Sequence, residues 1–317
     1  MNSSDRQQLE QRIGRVHLKQ RLGIEGHPQR VFGGGMNFIH LENWYSFQNI
    51  ARRLLKLTGL YNRGYRNARN FSIQHNTVTL PGLPEAFDRL TLLHLSDLHV
   101  GMNPETNRVL LEQVSEHDYD LCVLTGDYRA MTCGEIDDAL EGMAALRRKL
   151  RSPCYAVLGN HDSIHMVAGL ETMGIRVLLN ESITLERNGQ QLYLAGIDDA
   201  HYYRVDNLQK AAESIPHDAS VILLSHTPEI YRQAAHAGVD LMLCGHTHGG
   251  QICLPGGIPI ILEAQCPRAL GSGSWSYEGM QGYTSAGVGT SIIPVRFNCP
   301  PEITLHHLQS AARRDGS

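Results

Sequence analysis

The chain has 317 residues, 42% apolar and 19% charged, enough for a large folded body with a real core. A net charge of −4 argues against nucleic acid as the partner, and no apolar run approaches the ~20 residues needed to cross a bilayer. The seven Cys are odd in number and scattered, with no C-x-x-C, which argues against a disulfide framework and a Cys-based zinc site.

The charge is unevenly placed. Residues 1–70 hold twelve Lys/Arg and four Asp/Glu, a basic arm ahead of an acidic body. Residues 1–35 are polar and end in Gly33-Gly34-Gly35, which reads as a flexible arm or a weakly ordered helix. The N-terminus has no apolar h-region, so a reducing, cytoplasmic setting is expected.

Over 44–61, Phe47, Ile50, Leu54, Leu57 and Tyr61 recur at helical spacing, with Arg52, Arg53 and Lys56 off that line. Two readings stand level. The helix packs on the body with a solvated basic face. Or it lies peripherally on the inner face of the membrane, Trp44 and Tyr45 at the edge and its basic residues toward anionic headgroups.

Residues 71–310 form the main domain, followed by a polar tail, 311–317. Here short apolar runs end in polar residues: 91–97, 121–127, 154–162, 221–226 and 241–248 each read as a buried strand entering a loop. Stretches 106–117 and 135–150 read as helices between the early strands, which predicts parallel βαβ units. Asn188-Gly189 between two alternating runs predicts a hairpin over 183–198. The sum is a mixed α/β layer structure.

In such sheets functional residues gather in loops at the carboxyl ends of strands. Five strand ends each deliver a metal-ligand type: Asp97 and His99, then Asp127, then Asn160 and His161, then His226, then His246 and His248. Carboxylate, amide oxygen and imidazole suit two divalent ions, Mn first, with Fe, Zn or Mg as alternatives. In a two-metal site one carboxylate bridges ions ~3.5–4 Å apart, and a bridging hydroxide attacks the phosphorus. No nucleophilic side chain is then needed. A proton donor near the leaving oxygen is still useful, and His161 is placed for it.

D-x-H at Asp97 to His99, G-D at Gly126-Asp127, G-N-H-D at Gly159 to Asp162, the lone His226 and G-H-T-H at Gly245 to His248 resemble the five ordered motifs of the calcineurin-like metallophosphoesterase superfamily. Each motif alone is weak; five in order, each after a strand, are specific. The resemblance implies a four-layer α-β-β-α sandwich of two mixed sheets, with tail strands 282–289 and 302–308 in the second sheet. It implies that Asp97, His99 and His248 hold one metal, that Asp127 bridges, and that Asn160, His226 and His246 hold the second. It implies His161 as general acid or oxyanion stabiliser, with Asp162 orienting it.

GHTHGGQICLPG and the closing run 285–308 are similar to the small bacterial branch of the YkuE and YaeI type, some of whose members resemble hydrolases of UDP-2,3-diacylglucosamine. The expected activity is hydrolysis of phosphodiester or pyrophosphate bonds, with a lipid-linked substrate as one candidate. A soluble cyclic-nucleotide phosphodiesterase or a nuclease is the alternative. A non-catalytic binding protein on the same fold is the second alternative, which the complete ligand set argues against. G-N-H-D rather than G-N-H-E sets the chain apart from Ser/Thr protein phosphatases. Ala130, three residues after Asp127, stands where purple acid phosphatases have Tyr.

Other residues carry blander readings. His94 reads as a core histidine; His306 and His307 read as surface residues; His201 reads as part of a solvated loop, ahead of the alternative that it lines the substrate groove.

Overall fold

Each central strand of this chain sorts its side chains into two different cores. The computed structural model describes residues 1–27, 45–151 and 153–311, with side chains of the helix at 45–57 described from Asn49 onward. Trp44, Gly33 to Gly35 and the tail 312–317 lie outside the described residues.

One sheet runs β1 (Ser72–Leu80), β14 (Glu302–Ser310), β2 (Thr91–Leu95), β3 (Leu121–Leu124), β4 (Cys154–Ala156), β5 (Arg176–Val177). The other runs β12 (Gly273–Tyr277), β13 (Met280–Thr284), β9 (Leu241–Cys244), β8 (Val221–Leu224), β7 (Gln190–Gly196), β6 (Glu181–Arg187). A short ribbon, β10 (Cys253–Leu254) with β11 (Ile258–Pro259), stands apart. The helices are α1 (Ser3–Ile13), α2 (Arg15–Gly26), α3 (Tyr45–Leu57), α4 (Tyr61–Asn67), α5 (Pro104–Gln113), α6 (Asp137–Arg147), α7 (Val167–Thr172), α8 (Leu208–Ala212) and α9 (Tyr231–His236).

Successive strand residues point to opposite faces. In β3, Leu121 and Val123 face the other sheet, while Cys122 and Leu124 face α5, α6 and α7. In β9, Leu241 and Leu243 face the first sheet, and Met242 and Cys244 face α8 and α9. Three apolar cores therefore separate four layers, α-β-β-α, as expected. Burial on both faces explains why these strands read as continuous apolar runs.

The βαβ units also form as expected: β2, β3, β4 and β5 pair in parallel with helices between them. Asn103 caps α5, accepting from the Thr106 amide, with Pro104 in the first turn, a favoured start. Asn188 and Gly189 take positive φ (51° and 74°), the backbone that closes the β6–β7 hairpin.

Two expectations need correction. The tail strands do not share a sheet. β13 joins the second, but β14 inserts into the first, parallel to β1 and antiparallel to β2. Alternation shows which residues are buried, not which neighbour a strand pairs with. His306, expected at the surface, is fully buried between the sheets and bonded to His94 Nδ1 at 3.2 Å. His94 is a core residue as read, its pKa pushed down to about 3 by burial.

Over its described part the arm is helical, the second of its two readings, but packed rather than weakly ordered. α1 and α2 fold into a hairpin at Gly14, and Leu9, Ile13 and Leu18 join the core that contains Leu93 and Leu124. Arg12 fixes the hairpin to Glu171 (2.9 Å) and Glu181 (2.8 Å). So sparse a stripe, broken by a glycine, gives little periodic signal. Leu18→Ala is expected to cost about 2–5 kcal/mol in denaturant unfolding, as for a large-to-small core change. An unchanged midpoint would mean the hairpin is only loosely attached.

Candidate metal centre

The five strand ends come from both sheets. β2, β3 and β4 deliver Asp97, His99, Asp127, Asn160 and His161. β8 and β9 deliver His226, His246 and His248. The loops meet where the carboxyl ends of the two parallel blocks face each other. Backbone bonds lace them together: Asp97 N to Gly126 O (2.9 Å), His99 N to Asp127 O (3.0 Å) and Gly245 N to His226 O (2.8 Å).

The turns are tight enough to force unusual backbone. Asp97, His99, Asp127, His246 and His248 all have positive φ, between 42° and 73°. Non-glycine residues rarely adopt this region, and such strain gathers where a site must aim side chains. Two glycines permit the close approach. A Cβ on Gly159 would overlap the Asp127 carboxylate, and one on Gly287 would meet Asp97 Cβ at 2.8 Å.

All seven expected ligands converge, and all are buried. Asp97, His99 and His248 form one group that could hold a metal ion, and Asp127, His226 and His246 form another. His99 Nε2 lies 3.1 Å from His248 Nε2, which is 3.6 Å from Asp97 Oδ1. Asn160 Oδ1 lies 2.9 Å from both His226 Nε2 and His246 Nδ1. Asp127 Oδ2 stands between the groups, 3.6 Å from His99 Nε2 and 3.4 Å from His226 Nε2.

Backbone carbonyls set the tautomers. His99 Nδ1 pairs with Arg129 O (3.1 Å) and His226 Nδ1 with Thr125 O (2.7 Å). Each Nδ1 therefore carries a proton and donates it, which leaves the Nε2 lone pair of His99 aimed into the site and makes Nε2 of His226 the atom that bears any second proton. This set fits divalent cations on its own chemistry. It is oxygen and imidazole nitrogen converging among buried residues, and the nearby guanidiniums point elsewhere. Arg129 donates to the carbonyls of His161, Thr132 and Gly134. Arg296 donates to those of Ala286, Gly287 and Gly289, touching His248 Nδ1 only at 3.4 Å.

Burial drives the pKa of His99 down to about 3 and those of His246 and His248 well below the usual imidazole range. Burial acts the same way on His226, but the Asp127 carboxylate, reinforced by Asp97, outweighs it and lifts His226 to about 10. Burial would raise Asp127, yet His226, His161 and His99 hold it well below the carboxylate range. One imidazolium thus stands in for missing positive charge, as expected of ligands that release a proton on metal binding.

His161 flanks the pair, its Nε2 3.9 Å from Asp127 Oδ2 and its Nδ1 3.4 Å from Thr132 Oγ1. The Asp162 carboxylate faces backbone: it accepts from the amides of Asp127 (2.7 Å), Tyr128 (2.8 Å), Gly159 (2.9 Å) and Arg129 (3.2 Å). It therefore ties the loop after β4 to the loop after β3. Tyr128 is fully buried and its hydroxyl donates to Val157 O (2.6 Å), away from the ligand atoms.

His201, expected in a solvated loop, is buried, with its ring 4.3 Å from that of His246 and Nδ1 2.9 Å from Glu229. The Asp199 carboxylate gathers the amides of residues 201–203 into a turn that carries it inward. An Asp opening a turn is a readable signal, but its direction is not.

A model of the calcineurin-like phosphoesterase family matches residues 90–250, half of the chain. The chain belongs to the calcineurin-like phosphoesterase family. It is 29% identical over 259 residues to the uncharacterized metallophosphoesterase YkoQ of Bacillus subtilis, spanning 77% of this chain and 92% of that protein. It is 31% identical over 248 residues to a transmembrane protein with metallophosphoesterase domain of Danio rerio, spanning 72% of this chain and 55% of that one. It is 28% identical over 235 residues to the phosphodiesterase YaeI of Escherichia coli, spanning 68% of this chain and 81% of that protein. As a calcineurin-like phosphoesterase the chain is a metal-dependent phosphoester hydrolase.

Asp127→Asn is expected to lower the metal content of the purified protein at both groups, whereas His226→Ala should deplete only one. Elemental analysis after gel filtration checks this. Equal metal content in wild type and Asp127→Asn would remove Asp127 from the shared position. Asp162→Ala strands four buried amides and is expected to cost at least about 3 kcal/mol in denaturant unfolding.

Proposed function

We propose that this chain hydrolyses phosphodiester or pyrophosphate bonds at a dinuclear centre, with a substrate that carries a lipid or other long apolar group. The observation that carries the reading is the pair of ligand groups sharing Asp127 Oδ2, with His161 beside them and an apolar cavity opening onto them. Asp97, His99 and His248 would hold one ion, and Asn160, His226 and His246 the other, with Asp127 between. Bound divalent ions, Mn²⁺ first, would activate water and offset charge on the phosphoryl oxygens. Asp127 would set the spacing, and the carbonyls of Arg129 and Thr125 would keep His99 and His226 as acceptors. His161 would present Nε2 to the phosphate and supply the proton to the leaving oxygen.

The cavity has a volume of ≈ 230 Å³ and is lined by Asp127, His161, His246 and His248 on one side. Ile252, Ile260, Ile261, Ile292, Ile293 and Ala51 of α3 make up most of the rest of its wall, with Thr247, Gly250, Gln251, Glu263 and Ser291 among them. Ile292 sits at φ 65°, which is costly for a β-branched residue and is tolerated at sites that need a fixed shape. Of the lining residues Ile260 and Ile261 are also exposed, and beyond the cavity so are Ile258 and, on α3, Ile50, Leu54 and Leu57, the last at 86%. Arg52, Arg53 and Lys56 of α3 are exposed beside them. Apolar residues ringed by basic ones suit an anionic lipid surface. No helix among the described residues is long and apolar enough to cross a membrane.

Purified protein with Mn²⁺ should hydrolyse bis-p-nitrophenyl phosphate. His161→Ala should lower kcat by about 10²- to 10⁴-fold with its metal retained. Wild-type turnover in His161→Ala would remove it from the chemistry. The intact chain should float with phosphatidylglycerol vesicles, and Leu54→Asp with Leu57→Asp should abolish flotation without changing turnover of the soluble diester. Failure of the wild-type chain to float, with a cyclic nucleotide preferred over UDP-2,3-diacylglucosamine, would favour the soluble phosphodiesterase reading.

A further inference from the structure

α2 reaches the loop that carries His161. Arg21 is wholly buried, and its Nη2 donates to the carbonyl of Asp162 at 2.9 Å. One turn on, the Glu25 carboxylate accepts from Ser163 Oγ and from the Ile164 amide, both at 2.7 Å. The two residues therefore hold the carbonyl of Asp162 and the amide of Ile164, in the second and third peptide groups after His161. His161 itself is held from the other side, its amide donating to Asp127 Oδ1 (2.9 Å) and its carbonyl accepting from Arg129 Nε (2.8 Å).

Arg21 is itself tightly placed. Its guanidinium stacks 3.3 Å from the centroid of the Tyr203 ring, with Nε 3.5 Å from Glu25 and 3.6 Å from Asp198. Asp198 is buried and is also met by His17 Nε2 of the same helix at 2.8 Å. A buried cation shared by two carboxylates and an aromatic face has one workable position, since leaving it strands buried charge. Surface anchoring of a terminal helix would not require such an arrangement.

We infer that the N-terminal hairpin is a clamp on the catalytic loop, with Arg21 and Glu25 as positioning residues that fix where the His161 imidazole points. The inference rests on the proposed role of His161. Neither residue touches a ligand atom of the metal groups, so the clamp acts on turnover and leaves metal binding and substrate affinity largely alone. Displacements of about 1 Å in a catalytic group are enough to cost up to about 100-fold in rate.

The test uses the full chain with Mn²⁺ and bis-p-nitrophenyl phosphate, comparing wild type, Glu25→Gln, Arg21→Met, Arg12→Gln and His161→Ala. Arg12 holds the same hairpin, but to Glu171 and Glu181, away from the loop. Glu25→Gln and Arg21→Met should lower kcat about 10- to 100-fold, with KM within about twofold of wild type and metal content unchanged. Arg12→Gln should lower the unfolding midpoint and keep kcat. Should Arg21→Met fail to fold, Glu25→Gln, which keeps the side chain's shape, carries the test. Wild-type kcat in Glu25→Gln beside a strong loss in His161→Ala overturns the clamp alone. An equal kcat loss in Arg12→Gln and Glu25→Gln also overturns it, because a merely structural role predicts that. Wild-type kcat in His161→Ala overturns the role of His161 and the clamp with it.

Discussion

The Asp127 carboxylate is the constraint around which the rest is arranged. It is buried among imidazoles that belong to two groups, within 4 Å of His99, His161 and His226 alike. A buried anion in such company needs positive charge close by. The protein's own answer is one imidazolium at His226, while its arginines are committed to backbone carbonyls. The site is thus built short of cations. The left-handed backbone at five ligand-bearing positions, the missing Cβ at Gly159 and the four amides gathered by Asp162 hold the ligand-bearing loops together around it.

Much of this was legible in the residues alone, because strands buried on both faces leave apolar runs and the polar residues that end them stand out. That is why Asp97, Asp127, His226 and His246 could be placed at strand ends and expected in one pocket. The sharing of the site between two sheets was less legible, since pairing order leaves no periodic trace; β14 shows this most plainly. The bonds of His226 and His99 to carbonyls were invisible too, because any residue supplies a carbonyl.

The opposite failure occurs at the N-terminus. A polar, basic stretch with few apolar residues reads as a flexible arm or a weakly ordered helix, yet Arg12, His17, Arg21 and Glu25 make contacts that composition counts as solvated charge. Charge patterning alone cannot separate a buried ion pair from a surface one. The partner residues, Asp198 and Glu171, lie about 160 to 180 residues away along the chain. Around the metal groups two physical environments adjoin: a buried polar cluster that suits phosphoryl chemistry, and an isoleucine-rich wall that continues onto exposed α3 and the β10–β11 ribbon. Their adjacency gives this fold a way to hold a charged head and an apolar tail at once.

The central claim is that one carboxylate is shared by two cation sites. Anomalous diffraction from crystals of the full chain grown with Mn²⁺ tests it most directly. The account predicts two peaks about 3.5–4 Å apart, with Asp127 between them, one beside Asp97, His99 and His248 and the other beside Asn160, His226 and His246. A single peak, or two peaks of which only one contacts Asp127, would contradict it.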